Sequence, residues 1–270
     1  MRNLAVLALL ALAPLGCAAC ASLTIRACVE NQPFMPLTNT DANLPGDGQI
    51  LIEMAAAAVG ATIHYRSASW EQCQQLVDSG EVDALVAASH AAINASIARF
   101  PMADDEADPA RSMGAVRTDL FRRIGSDVHV RKGRLVNLKK RVGVMHAYQA
   151  NSISVGRLGG TVDDNSRTME SLAKRLVAGQ LDLVAGTSEL RRLCAGPFAG
   201  KIERLPEPLD EDHYYFAFSN PFYAANQARA EAFWEAMAHI RQAPEYRARL
   251  AAEADRRNAA NGSDDCPIAH

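Results

Sequence analysis

Apolar and polar positions along this chain follow two periods in turn, and the alternation predicts strands and helices. Residues 23–29 alternate as a half-buried strand does, and residues 62–65 form a second strand. Between them, residues 49–59 are rich in Ala and Leu and predict a helix, which Gly60 ends in the position that favours glycine. The nearly all-apolar run at 82–88 is typical of a parallel strand covered on both faces.

One strand–helix–strand unit occurs twice. In the first copy Ser69 caps a helix over residues 70–78, and Gln72 completes a capping box. Because the recurring residues fit one pattern of strand, capped helix, glycine stop and buried strand, the repeat predicts two lobes, each with its own open parallel sheet. At a constant offset of 99 positions, Thr62, Ile63, Ser67, Glu71, Gly80 and Asp83 recur as Thr161, Val162, Ser166, Glu170, Gly179 and Asp182.

The remaining segments continue the alternation of strands and helices. The acidic stretch at 101–109 predicts a surface loop, and the turn-rich stretch at 206–212 predicts a connector. The polar residues 258–270 predict a flexible tail, apart from Cys266 if it is bridged. Further strands are expected at 115–122, 141–145, 202–205 and 214–218, and helices at 224–240 and 245–255.

Residues 1–21 have the features of a secretory signal peptide. A positively charged start precedes an apolar run at 4–15, which is too short to span a bilayer. Ala19-Cys20-Ala21 fits the small-x-small cleavage pattern, so we expect an exported chain that begins at Ser22. A lipoprotein cut before Cys20 is the alternative, but Cys17 stands where such signals usually carry a branched apolar residue.

Charge and cysteine content narrow the class of partner. The formal net charge of -3 lacks the basic footprint of a nucleic-acid binder, so no nucleic-acid partner is expected. Four cysteines follow the signal peptide, and an even number in an oxidising compartment predicts two disulfides, in any of three pairings that spacing does not resolve. A metal site is the alternative, but the chain after residue 21 lacks the Cys-x-x-Cys spacing of zinc sites. The four are Cys28, Cys73, Cys194 and Cys266.

Open α/β sheets bind ligands beyond the carboxyl ends of their strands, where the two lobes are expected to face each other. There Trp70 and Phe34 can form an apolar wall, and hydroxyl and amide groups can orient a small polar solute. Backbone N–H groups at the helix starts near 147–151 and 187–189 offer contacts to an anionic group. Packing on the lobe is an alternative role for Trp70, and capping for His90. The candidates at strand ends are Glu30, Phe34, Trp70, Ser89, His90, Tyr148, Gln149, Asn165, Thr187 and Ser188.

Several stretches, in their order along the chain, resemble the family 3 solute-binding proteins, which include the polar amino-acid binders of ABC transporters. Residues 23–34 resemble the first strand of that family, and residues 48–60 its first helix. The stretch 70–86, with Ser79-Gly80-Glu81-Val82-Asp83-Ala84, is similar to the family's most recognisable segment. Residues 178–182 and 244–247 resemble its second-lobe counterpart and closing helix.

The resemblance implies an α/β, two-lobed periplasmic-binding-protein type II fold. Each lobe has a mostly parallel sheet flanked by helices, and two hinge strands join the lobes near residues 113–117 and 213–218, where Tyr215 is a further candidate. Related ionotropic glutamate receptor cores link their second lobe to the C-terminal segment, which implies Cys194–Cys266 here and leaves Cys28–Cys73. The implied boundaries are 22–115 for the first part of lobe 1, 116–212 for lobe 2, and 213–270 for the hinge return, the completion of lobe 1 and the tail.

Two departures from the family concern the ligand. Its amino-acid binders carry an arginine after the third strand that clamps the α-carboxylate, and Asn94 stands near that position, with Arg99 out of register. They also carry an aspartate for the α-ammonium group, where this chain has Thr187. Because neutral groups do not replace a desolvated charge pair, we expect the fold without the amino-acid specificity.

The leading hypothesis is a monomeric periplasmic protein that captures a small solute by closing its lobes, with no cofactor and no chemistry of its own. Its partner is expected to be a membrane permease of the ABC importer type, or a sensor. An orphan accessory protein with the same fold is a second hypothesis. An enzyme is a third, similar to the cyclohexadienyl dehydratases of this fold, with Glu30 and His90 as acid–base candidates.

Overall fold

A computed structural model describes residues 23–146, 148–261 and 266–269. The expected signal peptide lies outside these residues. Within them no helix combines the length and the apolar character needed to cross a membrane. The strands are β1 (Leu23–Glu30), β2 (Ala61–Ala68), β3 (Ala84–Ser89), β4 (Ala98–Arg99), β5 (Met102–Ala103), β6 (Glu106–Ala107), β7 (Gly114–Arg123), β8 (His129–Arg131), β9 (Arg134–Val136), β10 (Val142–Met145), β11 (Val162–Ser166), β12 (Leu183–Gly186) and β13 (Ile202–Ser219). The helices are α1 (Asp47–Ala58), α2 (Trp70–Asp78), α3 (Ala92–Ile97), α4 (Gln149–Arg157), α5 (Met169–Val177), α6 (Ser188–Ala195), α7 (Asn220–Gln242) and α8 (Pro244–Asn261).

The main sheet has nine strands in the order β11-β10-β12-β7-β13-β3-β1-β2, with β4 beside β13. The first lobe contains the parallel strands β2, β1 and β3, and the second lobe contains the parallel strands β11, β10 and β12. The antiparallel strands β7 and β13 lie between the two sets. This is the two-lobed α/β fold expected from the sequence.

The expectation of a separate sheet for each lobe is wrong. Strand β13 continues for 18 residues and pairs with β7 towards the second lobe and with β3 in the first. The stretch 206–212, expected to be a connector, is part of this strand. Pro206 and Pro208 lack the N–H that a ladder needs, so the pairing shifts register between Arg204 and Asp210 instead of ending.

The repeated unit is confirmed, with one copy in each lobe. The first copy is β2-α2-β3, and the second is β11-α5-β12. Ser69 accepts a hydrogen bond from the backbone of Gln72 and completes the expected capping box. Gly80 and Gly179 follow the two helices with φ of 74° and 72°, in the left-handed region that glycine adopts without strain.

The acidic residue of each repeat fixes backbone at the entry to its strand. Asp83 accepts hydrogen bonds from the backbone N–H of Arg26 at 2.8 Å and from its guanidinium group. Asp182 accepts from the backbone N–H groups of Lys139 and Lys140. Both aspartates therefore have a structural role, since each fixes backbone of, or just before, the neighbouring strand.

Each lobe has apolar side chains packed on both faces of its strands. In the first lobe Trp234 of α7 is fully buried, and its indole N–H donates to the carbonyl of Phe216 at 2.7 Å. In the second lobe Leu172 and Leu176 of α5 pack against β10 and β12. The acidic stretch 101–109 contains the short β5–β6 hairpin where a loop was expected.

The two disulfides implied by the family resemblance are present. Cys28 is bonded to Cys73, and Cys194 is bonded to Cys266. Residues 266–269 do not behave as the expected tail, because Ile268 forms a parallel bridge with Arg204 of β13. The chain therefore returns from α8 in the first lobe to pack on the second.

Replacing both Cys194 and Cys266 by alanine is expected to lower the free energy of unfolding by about 2–5 kcal/mol, because that bond closes a long loop. Chemical denaturation measures the loss. Proteolysis after residue 261 should accelerate in this variant and stay at the wild-type rate in the C28A/C73A control, which keeps the segment 266–269 attached. Equal proteolysis of the two variants would show that Cys194–Cys266 does not hold this segment.

Candidate functional site

Side chains from both lobes meet at the carboxyl ends of the parallel strands. Glu30 ends β1, Ser89 ends β3, and Trp70 begins α2 directly after β2. From the second lobe, Tyr148 and Gln149 stand between β10 and the body of α4. They enclose what we call the inner cavity, with a free volume of about 40 Å³. Its lining residues are Glu30, Phe34, Thr38, Trp70, Gln74, Val86, Ala87, Ser89, Ala91, Ile93, Asn94, Tyr148, Gln149, Ala150, Asn151 and Tyr214.

A larger cavity adjoins the inner one, since Ser89, Ala91 and Ala150 line both. We call it the outer cavity, and its volume is about 670 Å³. The two cavities therefore lie next to each other between the lobes. The further lining residues of the outer cavity are His90, Asp105, Glu106, Ala107, Pro109, Ile153, Ser154, Arg157, Asp210, Asp212, His213 and Tyr215.

A hydrogen bond inside the inner cavity joins the two lobes. The Tyr148 hydroxyl donates to Glu30 Oε2 at 2.5 Å. Burial raises the pKa of Glu30 to about 7; the bond from Tyr148 opposes this rise, and the charge of Glu189 adds to it. Burial also raises the pKa of Glu189 to about 7, against the attraction of Arg192. Glu30 therefore changes its charge close to neutral pH.

Tyr148 remains a hydrogen-bond donor over the whole physiological range. Burial, followed by the charge of Glu30, raises the pKa of Tyr148 well above its ordinary value. A protonated phenol can donate to either form of the Glu30 carboxyl group, but the bond is stronger when that group is ionised.

Two further hydrogen bonds cross between the lobes. The Gln32 side-chain amide donates to the carbonyl of Arg167, and the Ser188 hydroxyl donates to the carbonyl of Met35 at 2.8 Å. The acceptors are backbone groups, so the contacts depend on the position of the chain and not on the identity of the partner side chain. Together with the Tyr148 bond they hold the lobes against each other.

The wall of the inner cavity is partly aromatic. The Phe34 ring lies edge-to-face with Tyr214 and Tyr148, at centroid distances of 4.8 and 6.2 Å. These three rings come from three different segments of the chain. They present apolar faces and ring edges beside the Glu30 carboxyl group.

Another part of the wall is a chain of amides. The Gln74 side chain donates to Asn94 Oδ1 at 2.8 Å, and Asn94 Nδ2 donates to the carbonyl of Ser89 at 2.9 Å. Asn94 is buried, and its amide is engaged by these neighbours. Asn94 therefore lies near the position where the amino-acid binders of the family carry an arginine, but it is neutral and its side chain is hydrogen-bonded to neighbouring residues.

The structure brings most of the predicted site residues together. Ser188 crosses to Met35, while Thr187 is buried ahead of α6, and the Asn165 side chain donates to Asp163. Thr187, Ser188 and Asn165 are not among the residues that line the two cavities. His90 and Tyr215 line the outer cavity. The predicted residues in the inner cavity are Glu30, Phe34, Trp70, Ser89, Asn94, Tyr148 and Gln149.

Tyr214, and not the predicted Tyr215, lines the inner cavity. Successive side chains of a strand point to opposite faces, so two adjacent tyrosines cannot share one surface. The Tyr215 hydroxyl donates instead to the carbonyl of Ala107 at 3.2 Å. The sequence shows the pair of tyrosines, but the register of β13 decides which one faces the cavity.

The residues that the sequence prediction missed include Gln74, which lines the inner cavity, and Glu189, which lines neither cavity but acts on Glu30. Gln74 lies one turn after Trp70 on α2, so helical spacing carried a signal that it shares the cavity face. Glu189 begins α6 and acts on Glu30 from the other lobe, 159 positions away in the chain (189 minus 30). No local pattern connects two carboxyl groups at that separation.

Comparison with known proteins extends the description of the fold. The sequence matches no protein-family model and no curated protein sequence. The structure is similar to a histidine kinase sensor domain described as similar to periplasmic binding proteins, at 19% identity, TM-score 0.65, and coverage of 86% of this chain and 96% of that one.

Two further solved structures have the same fold. The GluR0 ligand-binding core from Nostoc punctiforme, in complex with L-glutamate, has 17% identity and a TM-score of 0.60, covering 84% of this chain and 96% of the other. A mutant of ArgBP from T. maritima has 13% identity and a TM-score of 0.64, covering 86% and 95%. At these identities the likeness establishes the two-lobed periplasmic-binding-protein-like fold.

Glu30→Gln is expected to flatten the pH dependence of stability. The pKa of Glu30 is about 7 in the folded protein against an ordinary 4.5, so its contribution favours folding below pH 4.5 and is lost as pH rises through 7. Between pH 4.5 and pH 7 the free energy of unfolding of the wild type should fall by about 3 kcal/mol more than that of E30Q. Denaturant unfolding at several pH values measures this.

The control for that experiment is Glu53→Gln, which removes an exposed carboxylate on α1 that pairs with Arg249. The free energy of unfolding of E53Q should depend on pH as that of the wild type does. Parallel curves for E30Q and the wild type would mean that Glu30 ionises as an ordinary surface carboxyl group.

Proposed function

We propose that this protein is a periplasmic solute-binding protein of family 3, which captures a small polar solute between its lobes and releases it unchanged. The observation that carries the proposal is the inner cavity, which is built from strand ends of both lobes and has polar and aromatic groups on its wall. Neither lobe alone encloses that space. A solute bound there contacts both lobes and favours their closed arrangement.

Closure follows from differential contacts. A solute in the inner cavity contacts Trp70 and Phe34 in one lobe and Tyr148 and Gln149 in the other. In an open arrangement it keeps one set and loses the other, so binding shifts the population towards closure. Strands β7 and β13 connect the lobes and are the segments expected to flex.

The assignment to family 3 rests on the order of the similar stretches along residues 23–255 and on the fold. The features of residues 1–21 support export, and both disulfides suit an oxidising compartment. An ABC-type permease in the membrane is the partner that this assignment implies, with the protein acting as a monomer.

A sensor role is the second candidate, and one observation favours it. The solved structures of this fold that resemble the chain include a histidine kinase sensor domain and the periplasmic VFT2 domain of Bordetella pertussis BvgS. Deleting the gene distinguishes the roles once the solute is known. An importer component predicts lost uptake of the labelled solute, whereas a sensor component predicts normal uptake and a lost transcriptional response.

We propose binding without catalysis. The two acid–base candidates lie in different places, with Glu30 in the inner cavity and His90 in the outer one. Glu30 accepts its hydrogen bond from Tyr148, and the His90 ring stacks edge-on against Phe100 at a centroid distance of 5.0 Å. This placement supports capture over acid–base chemistry on one substrate atom.

A thermal-shift screen against a library of polar solutes tests the capture proposal. A true ligand should stabilise the wild type by about 2.7 kcal/mol at one hundred times its dissociation constant. Ala150→Trp should abolish this stabilisation, because Ala150 lines both cavities and the indole would occupy space in them.

The matched control is Ala57→Trp, which places the same side chain on the exposed face of α1. It should respond to the ligand as the wild type does. Stabilisation that survives in A150W, or a complete lack of response across the library, would contradict solute capture in this cavity.

A further inference from the structure

The inner cavity has an unbalanced charge. Of its described lining residues, Glu30 is the carboxylic acid, and no lysine, arginine or histidine is among them. The neighbouring charge that acts on Glu30 is Glu189, a second acid from the other lobe. An ionised Glu30 therefore has no cation beside it among the described lining residues of this cavity, and a buried carboxylate without one is costly.

The aromatic part of the wall suits a positive group. Phe34, Tyr148 and Tyr214 line the inner cavity together with Glu30, and the Phe34 ring contacts the other two. Aromatic faces attract ammonium ions through the ring quadrupole and solvate them weakly, which favours an alkylated ammonium over a hydrated metal ion. A carboxylate could bind to these rings only through the two phenol hydroxyl groups. The hydroxyl group of Tyr148 already donates its hydrogen to Glu30.

The outer cavity also has an excess of negative charge. Asp105, Glu106, Asp210 and Asp212 line it, against Arg157 as its one arginine or lysine among the described lining residues. Carboxylates grouped at the mouth of a cleft raise the local concentration of cations and lower that of anions. The acids of the outer cavity therefore attract a cation towards the residues that this cavity shares with the inner one.

We propose that the site selects an aliphatic ammonium ion that carries no carboxylate, with the ammonium group beside Glu30 and the remainder of the molecule directed into the acidic outer cavity. This inference rests on the capture function proposed above and names the chemical class of its ligand. A zwitterion would place its carboxylate near four acids, and Arg157 is the one arginine or lysine among the described lining residues of the two cavities.

Four probes with one four-carbon chain test the class by calorimetric titration at pH 8 and low ionic strength. These are n-butylammonium, 1,4-diaminobutane, butyrate and 4-aminobutyrate. Both amines should bind, and n-butylammonium should bind at least about tenfold more tightly than butyrate and 4-aminobutyrate, since those two carry a charge that the site repels.

Variants at Glu30 assign the effect to that residue. E30Q should weaken both amines by at least about tenfold, because it removes the partner of a desolvated cation. E30D keeps the charge and should retain affinity within about tenfold of the wild type, which separates charge loss from a damaged fold. E53Q removes a carboxylate outside both cavities and should bind as the wild type does.

The outcomes separate this inference from the capture function. Butyrate or 4-aminobutyrate binding as tightly as n-butylammonium, unchanged amine affinity in E30Q, or no binding of either amine would overturn the ammonium class. Capture would still stand if another solute stabilises the wild type and not A150W. If no solute of any class stabilises the wild type and not A150W, both the capture function and this inference are wrong.

Discussion

The antiparallel pairing of β7 with β13 is the contact on which the rest of the structure depends. It runs from Ile202 opposite Arg123 to Tyr214 opposite Gly114, and it carries the chain between the two lobes. Because these strands fix where each lobe begins, they also fix which strand ends face each other across the cleft. Glu30 at the end of β1 meets Tyr148 ahead of α4 through this arrangement, although neither belongs to β7 or β13. The register shifts near Pro206 and Pro208 bend the ladder without interrupting it.

The site is built from groups that do little for stability. A buried Glu30 with a raised pKa, close to Glu189, costs folding free energy at neutral pH, whereas a core of the same size filled with apolar side chains would not. Perturbed acids in a cavity concentrate at functional sites for this reason. Each lobe compensates with its own apolar core, as around Trp234 in the first. A stable scaffold on both sides can therefore hold an unfavourable charge between them.

Local patterns predicted the elements well because their causes are local. The capping box of Ser69 and Gln72, the glycine stops at Gly80 and Gly179 and the buried strands that follow them need no knowledge of the fold. The repeat could be recognised because both copies obey the same local rules. The prediction was wrong where a long-range contact overrode a local signal. Residues 206–212 look like turns but are held extended by β7, and residues 266–269 look like a tail but are held by Cys194 and Arg204.

The sequence by itself determined the alternation of strands and helices, the duplicated unit, and the edge of the sheet where a ligand would lie, since all three follow from periodicity and chain direction. It also placed seven of the predicted residues around the inner cavity, because the carboxyl ends of the parallel strands meet at that edge of the sheet. Tertiary structure decided that Tyr214 and not Tyr215 faces that cavity, and that Glu189 acts on Glu30. Facing direction depends on register, and the pKa of a carboxyl group depends on burial and on charges brought close by folding. The facing direction and the pKa both depend on distances in the folded structure, which cannot be read from separation along the chain.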